Sequence, residues 1–477
     1  MGKQILRRGM QWGILAISVL VLTSACSLLE DPQSLVIPTP EPTPPPVIDQ
    51  SVSQSTTGEE SVTDPVSDVV PDVDPTIEML VQAVSQQQLM AYVRTLENFG
   101  SRNAFSDPAS ETFGIGAARR WIFNEFVRVG NGRLQVAFQE FPLLYAGFSA
   151  DQANVVATLP GKAANSNIIV LMGHYDTRAE SVTDGVSRTP AANDNAAGIA
   201  LLLESARILS SQELNQTIIF LALAGEEQGT FGSRYFAQNA FLDNMNILAA
   251  INYDGVGGQV GIPQTARIFS PDFLQSPSGE LARYYEYVAG LYLPTFPLVI
   301  FDALDREGRW GDHREFLVLG MPAIRLVQSL EDPHLINSTL DTWDRIDYNY
   351  LQKMTQLNVA VTANMAGGPV PPPQPTIANM ADPGSYLLTW PLGSDAAGYA
   401  ISFRPLDSSY YPTFRFVRAS KAGNVVLTGM DPSILYGVSV AAVSENGLVS
   451  TFSPETYVTQ NASITLPERI AANEANN

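Results

Sequence analysis

The chain contains 477 residues, 45% of them hydrophobic, which is enough for a large folded core and a smaller second domain. Its formal net charge of −21 argues against nucleic acid as a partner, because phosphate binding requires clustered lysine and arginine. Part of that charge is local, since residues 27–77 carry ten acidic side chains and no basic one. The only cysteine is Cys26, so an intrachain disulfide is excluded.

The amino terminus has the pattern of an export signal. Basic residues at its start are followed by an apolar run, and the segment ends in Thr-Ser-Ala-Cys at Cys26. Residues 1–25 resemble a bacterial lipoprotein signal, which implies cleavage before Cys26 and attachment of lipid to its sulfur. A plain signal peptide or an uncleaved anchor is the alternative. In each case we expect the folded protein outside the cytoplasm, and the lipid would attach it to a membrane.

Residues 26–76 are expected to form a disordered tether. The segment is rich in proline, serine, threonine and acidic residues, and it has no aromatic side chain. It cannot bury enough apolar surface to offset the entropy that is lost on ordering. We expect its like charges to extend it, so that it holds the folded part away from the membrane.

Strands and helices alternate across residues 77–366, which predicts an α/β domain with a mixed, mainly parallel sheet flanked by helices. Apolar residues at helical spacing are found in 77–99, 113–129, 281–292 and 348–366. Short apolar runs that are rich in β-branched residues and lack alternation indicate strands buried on both faces. Three such runs cover 168–173, 217–225 and 247–253.

Polar residues follow each of these three runs, and ligands bind beyond the carboxyl ends of strands in open α/β sheets. These residues are His174, Asp176, Glu226, Glu227 and Asp254, and the loop that opens the next helix adds Asp194. Carboxylates gathered in this way repel one another, and a divalent metal ion is their simplest neutraliser. A second histidine, His334, lies in a polar loop beyond the strands.

The motifs around these residues are similar to those of a known family. GHYDT, NDNAAG, GEEQGTFGS, NYDG and PHLINSTLDT occur in this order within 77–366. They resemble the co-catalytic di-zinc exopeptidases of metallopeptidase family 28, which includes secreted bacterial aminopeptidases. The resemblance implies two zinc ions per chain, one of them bound by His174 and Asp254. Glu227 and His334 would bind the other ion, and Asp194 would bridge the two.

The same resemblance implies roles in catalysis. Glu226 would be the general base, which takes a proton from water and passes it to the leaving amine. Neighbours in an extended segment point in opposite directions, so Glu226 and Glu227 would not bind one ion from the same side. Asp176 would hold the second ring nitrogen of His174, as metal-bound imidazoles require.

Three further features come from the comparison with the family. The peptide bond between Asp194 and Asn195 is expected to be cis. His313, in the segment GDHREF, is a candidate for contact with substrate. Pro333 stands where many members have a tyrosine before the last histidine ligand. The residue that stabilises the oxyanion is therefore left open.

The carboxyl-terminal part has a different pattern. Residues 367–375 form a proline-rich linker, and short strands at regular spacing over 376–460 predict an all-β sandwich, followed by a tail at 461–477. Trp390 and Tyr436 resemble the core tryptophan and corner tyrosine of a fibronectin type III domain. The linker predicts few contacts between the two folded parts, and hence an independent fragment 77–366. The sandwich is a candidate for binding a surface partner.

Together these features predict an extracytoplasmic zinc-dependent exopeptidase, an aminopeptidase that acts on peptides. A carboxypeptidase or a glutaminyl cyclase-like enzyme of the same fold is one alternative. A catalytically dead surface-binding protein is the alternative from another class. The loops 178–193 and 296–312 would set specificity, and the sequence does not show how.

Overall fold

The computed structural model describes residues 58–61, 73–163, 166–272, 274–412 and 414–458. The predicted signal, Cys26, most of the predicted tether and the tail lie outside the described residues. Within the tether segment, residues Gly58–Ser61 form a strand. Among the described residues, no helix combines the length and the apolar character that a membrane span requires.

The described chain begins with strand β1 (Gly58–Ser61) and helices α1 (Pro75–Gln82), α2 (Gln86–Asn98) and α3 (Gly114–Gly130). A central sheet follows, made of β2 (Gln135–Tyr145), β3 (Phe148–Leu159), β4 (Ile168–His174), β5 (Thr217–Leu223), β6 (Ile247–Tyr253), β7 (Ala266–Phe269), β8 (Leu298–Phe301) and β9 (Ala323–Gln328). The helices among and after these strands are α4 (Ala197–Leu209), α5 (Phe231–Leu242), α6 (Pro277–Tyr292), α7 (His313–Leu317) and α8 (Tyr348–Gly367).

The strand order in the central sheet is β2-β3-β5-β4-β6-β9-β7-β8. The inner strands β5, β4, β6 and β9 pair in parallel, as do β7 and β8. The pairs β2–β3, β3–β5 and β7–β9 are antiparallel. The predicted mixed α/β sheet is therefore confirmed.

Both faces of the inner strands are buried, which explains why their sequences do not alternate. On β4, Ile169 and Leu171 pack into the core beneath α2, α3, α4 and α8. Val170 and Met172 point to the opposite face, where Phe236 of α5 lies. Successive side chains of a strand leave on opposite sides, so a strand with helices on both faces must be apolar at every position.

Helix starts follow the capping chemistry of the sequence. The Asp74 side chain accepts hydrogen bonds from the backbone N–H groups of Thr76 and Ile77 at 2.7 and 3.1 Å, and Pro75 is the first helical residue. Helix α1 therefore begins two residues before the apolar pattern that predicts it. Asp347 caps α8 in the same way.

The carboxyl-terminal strands are β10 (Thr376–Asn379), β11 (Tyr386–Thr389), β12 (Gly398–Pro405), β13 (Arg415–Arg418), β14 (Asn424–Thr428), β15 (Tyr436–Val443) and β16 (Thr456–Val458). They form two sheets, ordered β1-β14-β11-β10 and β13-β12-β15-β16. All pairs among β10–β16 are antiparallel, whereas β1 pairs in parallel with β14. The all-β carboxyl-terminal part is thus confirmed.

The sandwich packs directly on helices α6 and α8 of the α/β part. The backbone carbonyl of Val449 accepts hydrogen bonds from the Tyr284 hydroxyl at 3.0 Å and from the Asn364 amide at 2.9 Å. Leu448 and Phe452 belong to the same apolar core as these helices. The linker predicts few contacts across this boundary, but the sandwich folds back and shares a core with the α/β part.

We expect Phe452→Ala to destabilise the whole folded chain. Phe452 is buried, with its ring centroid 4.6 Å from that of Tyr411 and 4.9 Å from that of Phe414. Loss of such a ring costs about 3–5 kcal/mol. Calorimetry should show a lower Tm in one transition, whereas the exposed Leu392→Ala should leave the Tm nearly unchanged. Two transitions, of which one keeps its Tm, would show that the two parts fold independently.

Candidate metal centre

The parallel strands β5, β4 and β6 are neighbours, so their carboxyl ends meet at one edge of the sheet. His174 is the last residue of β4, Asp254 follows β6 directly, and Glu226 and Glu227 follow β5. The irregular turn Ala192–Ala196 brings Asp194 to the same edge before α4 begins. The shared direction of the strands is what gathers these residues.

Three side chains form the centre of this cluster. His174 Nε2 lies 3.2 Å from a carboxylate oxygen of Asp194 and 3.6 Å from one of Asp254. One ligand atom from each residue can be chosen so that all three lie within 4.8 Å of one another. His174 Nε2 is buried and makes no hydrogen bond to any described residue. One imidazole and two carboxylates converging in this way are a fitting ligand set for zinc.

Asp176 holds two parts of the centre together. It is fully buried, and its two carboxylate oxygens accept the backbone N–H groups of Glu226 and Glu227, each at 3.1 Å. The closest contact to His174 Nδ1 is the backbone carbonyl of Asp176 at 3.1 Å, and its carboxylate is 3.7 Å away. The ring nitrogen is therefore held by the Asp176 carbonyl, while the carboxylate positions the Glu226–Glu227 turn.

The loop that carries Asp194 is held by another carboxylate. The Asp341 side chain accepts the backbone N–H groups of Asn193 at 2.8 Å and Asp194 at 3.0 Å. Burial raises the pKa of Asp341 to about 7, although these two hydrogen bonds act to lower it. The peptide bond between Asp194 and Asn195 is cis, as the resemblance implies. The Asn195 amide then donates to the carbonyl of Tyr253 at 2.8 Å, which joins the loop to β6.

A buried arginine positions Asp254. Arg325 lies on β9 opposite Asn252 of β6, and its Nη2 is 2.9 Å from a carboxylate oxygen of Asp254. It also pairs with Asp305. Burial alone would raise the pKa of Asp254, but Arg325 and His174 hold it well below its usual range. Asp254 is therefore ionised and oriented toward His174.

Glu226 and Glu227 have different surroundings. The carboxylate of Glu227 lies 3.2 Å from Nε of Arg178, and the Asn337 amide faces its other oxygen. The carboxylate of Glu226 lines the cavity, where it has electrostatic neighbours but no hydrogen bond to any described residue. Burial raises the pKa of both carboxyls well above the usual range. A nearby cation is what would allow both to ionise.

The two other histidines are not part of the cluster. His334 is exposed, and its backbone N–H donates to the Asp332 carboxylate at 2.9 Å. Asn337, three residues further on, lines the cavity instead. His313 is fully buried, with Nε2 2.7 Å from the carbonyl of Leu304, and burial lowers its pKa to about 4. The structure thus places His313 beneath the loop that contains Leu304, with no exposed surface for contact with substrate.

A cavity of about 300 Å³ opens above the cluster. Its wall includes Arg306, Arg309 and Trp310, which lie in the loop that the sequence marks for specificity. Arg306 is ion-paired with Glu331, whereas Arg309 is exposed. The cavity wall therefore combines an exposed guanidinium at Arg309 with the carboxylates of the cluster.

Four residues at the centre were not predicted from the sequence, namely Arg178, Arg325, Asn337 and Asp341. Three of them stood beside or within quoted motifs, since Arg178 follows GHYDT, and Asn337 and Asp341 lie in PHLINSTLDT. Arg325 had a weaker signal, because a charged residue inside an apolar strand requires a buried partner. None of these sequence features shows which residue the side chain contacts in the folded protein.

We expect Asp176→Asn to weaken zinc binding while the chain stays folded. An amide at this position has only one oxygen, so one of the two N–H groups at Glu226 and Glu227 loses its acceptor and the turn shifts. Loss of a partner that orients metal ligands typically costs roughly 10–100-fold in affinity. Competition with a chromophoric chelator measures this.

The matched control is Asp184→Asn. Asp184 also accepts two backbone N–H groups, from Val186 and Ser187, but it does so in a surface loop. This variant should bind zinc like the parent. Equal zinc affinity in Asp176→Asn and the parent would show that the Asp176 carboxylate does not hold the centre.

Sequence comparison identifies relatives of this chain. The profile of peptidase family M28 matches residues 154–362, from β3 to α8. A probable zinc metalloprotease of Leptosphaeria maculans is 32% identical over 418 residues, which cover 79% of this chain and 95% of the relative. A probable zinc metalloprotease of Pyricularia oryzae is 31% identical over 418 residues, which cover 77% and 82%. Both relatives are fungal proteins.

Solved structures share the fold. The LapA aminopeptidase of Legionella pneumophila superposes with a TM-score of 0.51 at 19% identity, over 63% of this chain and 77% of that protein. LapB of the same organism gives a TM-score of 0.51 at 22% identity, over 65% and 78%. These identities support the fold alone, whereas the match to the fungal relatives extends over most of both sequences. This chain therefore belongs to peptidase family M28 and is a zinc-dependent metallopeptidase.

Proposed function

We propose that this chain is an exopeptidase that removes residues from the amino terminus of peptides. The observation that carries the proposal is the different engagement of the two neighbouring glutamates. Glu227 is held by Arg178 and Asn337, whereas the Glu226 carboxylate lines the cavity without a hydrogen bond to any described residue. A general base must be free to accept a proton and must lie within reach of the reacting group.

His174, Asp194 and Asp254 would hold zinc at the base of the cavity. Bound zinc supplies Lewis acidity, which polarises a carbonyl and lowers the pKa of water. Glu226 then accepts the proton of the attacking water and donates it to the leaving amine. Burial raises the pKa of Glu226, which makes its carboxylate a stronger base than an exposed one. The family resemblance implies a second zinc, which Glu227 and His334 would hold.

The proposal also specifies which end of the peptide is cleaved. The resemblance to the secreted aminopeptidases of the family supports action at a free amino terminus, and LapA, which shares the fold, is itself an aminopeptidase. The exposed guanidinium of Arg309 at the cavity wall supports a second candidate, a carboxypeptidase, because it can pair with a terminal carboxylate. Substrates blocked at one end or the other distinguish the two candidates.

We expect N-terminal acetylation of a peptide to abolish its turnover, and C-terminal amidation to leave turnover unchanged. An acetylated terminus has no charged amine to be recognised beside the metal centre. Chromatography of peptide panels with and without a zinc chelator measures this, and the chelator should stop all turnover. The reverse pattern would support the carboxypeptidase. Cyclisation of N-terminal glutamine without cleavage would support a glutaminyl cyclase-like enzyme.

The control for this experiment is Glu226→Gln. Its neutral amide fills the same space but cannot accept a proton, so the rate should fall by roughly 10²–10⁴ while zinc content and Tm stay unchanged. Parent-like activity of this variant would contradict the assigned base. A parent that binds zinc and cleaves no peptide of a broad panel would support the surface-binding alternative.

We also propose that the chain is exported and attached to a membrane through lipid on Cys26. The support is the signal-like pattern of residues 1–25 and the absence of an internal partner for a lone cysteine. Mass spectrometry of the mature amino terminus should find a lipid-modified Cys26 as the first residue. An unmodified Cys26 within a longer amino-terminal peptide would contradict this.

The likeness of the sandwich to a fibronectin type III domain stays a prediction. Trp390 is buried against Tyr399, with ring centroids 5.4 Å apart. The Tyr436 hydroxyl accepts the backbone N–H of Asp431 at 3.4 Å, which is the kind of bond that a corner tyrosine makes. A role in binding a surface partner is proposed on this basis, and binding of the full chain to cell-surface fractions would test it.

A further inference from the structure

Arg102 is a fully buried arginine in the segment that follows α2. Its guanidinium donates four hydrogen bonds to the described part of the chain, and every acceptor is a backbone carbonyl oxygen. Nε donates to Tyr175 at 2.9 Å, and Nη1 donates to Leu96 at 3.0 Å. Nη1 also donates to Pro190 at 3.0 Å, and Nη2 donates to Ala191 at 2.9 Å. These bonds use four of the five N–H groups of the guanidinium.

The carbonyls that Arg102 binds belong to segments that are far apart along the chain. Tyr175 directly follows His174, the last residue of β4. Ala191 lies three residues before Asp194. Arg102 therefore joins the strand end that carries His174 to the loop that carries Asp194. In the folded chain, His174 Nε2 and a carboxylate oxygen of Asp194 are 3.2 Å apart.

The loop before Asp194 has a backbone conformation that requires support. Ala191 has a φ of 45°, in the left-handed region that disfavours residues with a Cβ atom, and such residues persist only where their surroundings hold them. Asp341 holds one side of the loop, through the backbone N–H groups of Asn193 and Asp194. Arg102 holds the other side, through the carbonyl of Ala191.

The positive charge of Arg102 suits its surroundings. Burial lowers the pKa of the guanidinium to about 10, although nearby carboxylates such as Asp341 and Asp176 act to raise it. The group therefore stays charged at neutral pH. Leu96 is in the last turn of α2, where a helix favours a cation. Arg102 thus supplies a fixed positive charge near these carboxylates in addition to its hydrogen bonds.

We infer that Arg102 is a positioning residue that fixes the turn at Ala191 against the end of β4. It thereby sets the separation of His174 and Asp194, two of the residues that would hold zinc. Arg102 does not line the cavity, so it acts through the backbone of these segments and not on the substrate. The inference rests on zinc binding in the proposed function.

The zinc affinity of Arg102→Lys tests the inference. Lysine keeps the positive charge, but its compact ammonium cannot replace the planar fork that reaches four carbonyls. We expect zinc to bind roughly 10–100-fold more weakly, as is typical when a group that orients metal ligands is lost. Competition with a chromophoric chelator measures the affinity, and the Tm of the metal-free chain measures stability separately. At saturating zinc, KM for a peptide should equal that of the parent.

The matched control is Arg133→Lys. Arg133 also donates to backbone carbonyls, those of Ser210 at 2.7 Å and Gln212 at 2.6 Å, but it does so at the opposite end of α4. We expect both variants to lower the Tm of the metal-free chain, and Arg102→Lys alone to weaken zinc binding. Parent-like zinc affinity in Arg102→Lys, or equal losses in the two variants, would overturn the inference and leave the proposed function in place. A parent that binds no zinc would overturn both.

The variant Ala191→Gly gives a second test. Glycine adopts a positive φ without steric cost, so the turn then needs less support from Arg102. We expect the double variant Arg102→Lys with Ala191→Gly to recover part of the zinc affinity that Arg102→Lys loses. A double variant that binds no better than Arg102→Lys would contradict the role of the turn. If Arg102→Lys alone does not fold, the double variant should bind zinc more weakly than Ala191→Gly, and equal affinity would overturn the inference.

Discussion

Repulsion among carboxylates at one edge of the sheet is the constraint on which the centre depends. Four of them line the same cavity, namely Asp194, Glu226, Glu227 and Asp254. Two have arginine partners, since Arg325 pairs with Asp254 and Arg178 pairs with Glu227. Asp194 lies 3.2 Å from Nε2 of His174, a buried nitrogen that makes no hydrogen bond to any described residue. A divalent cation beside His174 would neutralise the remaining charge, so we expect metal binding and the geometry of the site to depend on each other.

Two buried carboxylates outside the cavity, Asp176 and Asp341, set the positions of the carboxylates that line it. Asp176 accepts N–H groups from a turn about 50 residues away, and Asp341 accepts them from a loop 147 and 148 residues away. Both are buried, so their hydrogen bonds are shielded from water. Each joins segments that the chain would otherwise leave independent. The geometry of the centre is thus determined by contacts between loops as well as by the strands.

The sandwich also packs on the α/β part, through helices α6 and α8. Helices α6 and α8 have the central sheet on one side and the sandwich on the other, within one continuous apolar core. The hydrogen bonds to Val449 add polar contacts at the same boundary. The proline-rich linker only connects the two folded parts along the chain. It does not determine whether their surfaces meet, because that depends on the apolar faces that each presents.

The sequence by itself determined the sheet and the residues at its carboxyl edge. Apolar runs without alternation indicate strands buried on both faces, and parallel neighbours must end at the same edge. His174 and Asp254 follow from that rule, whereas Asp194 lies in the turn that opens α4. Tertiary structure alone decided which residue faces Glu227, because a polar loop has no periodicity and its direction depends on distant contacts. The motif PHLINSTLDT contains both His334 and Asn337, and its sequence does not show which of them faces Glu227. The fold brings Asn337 to the cavity.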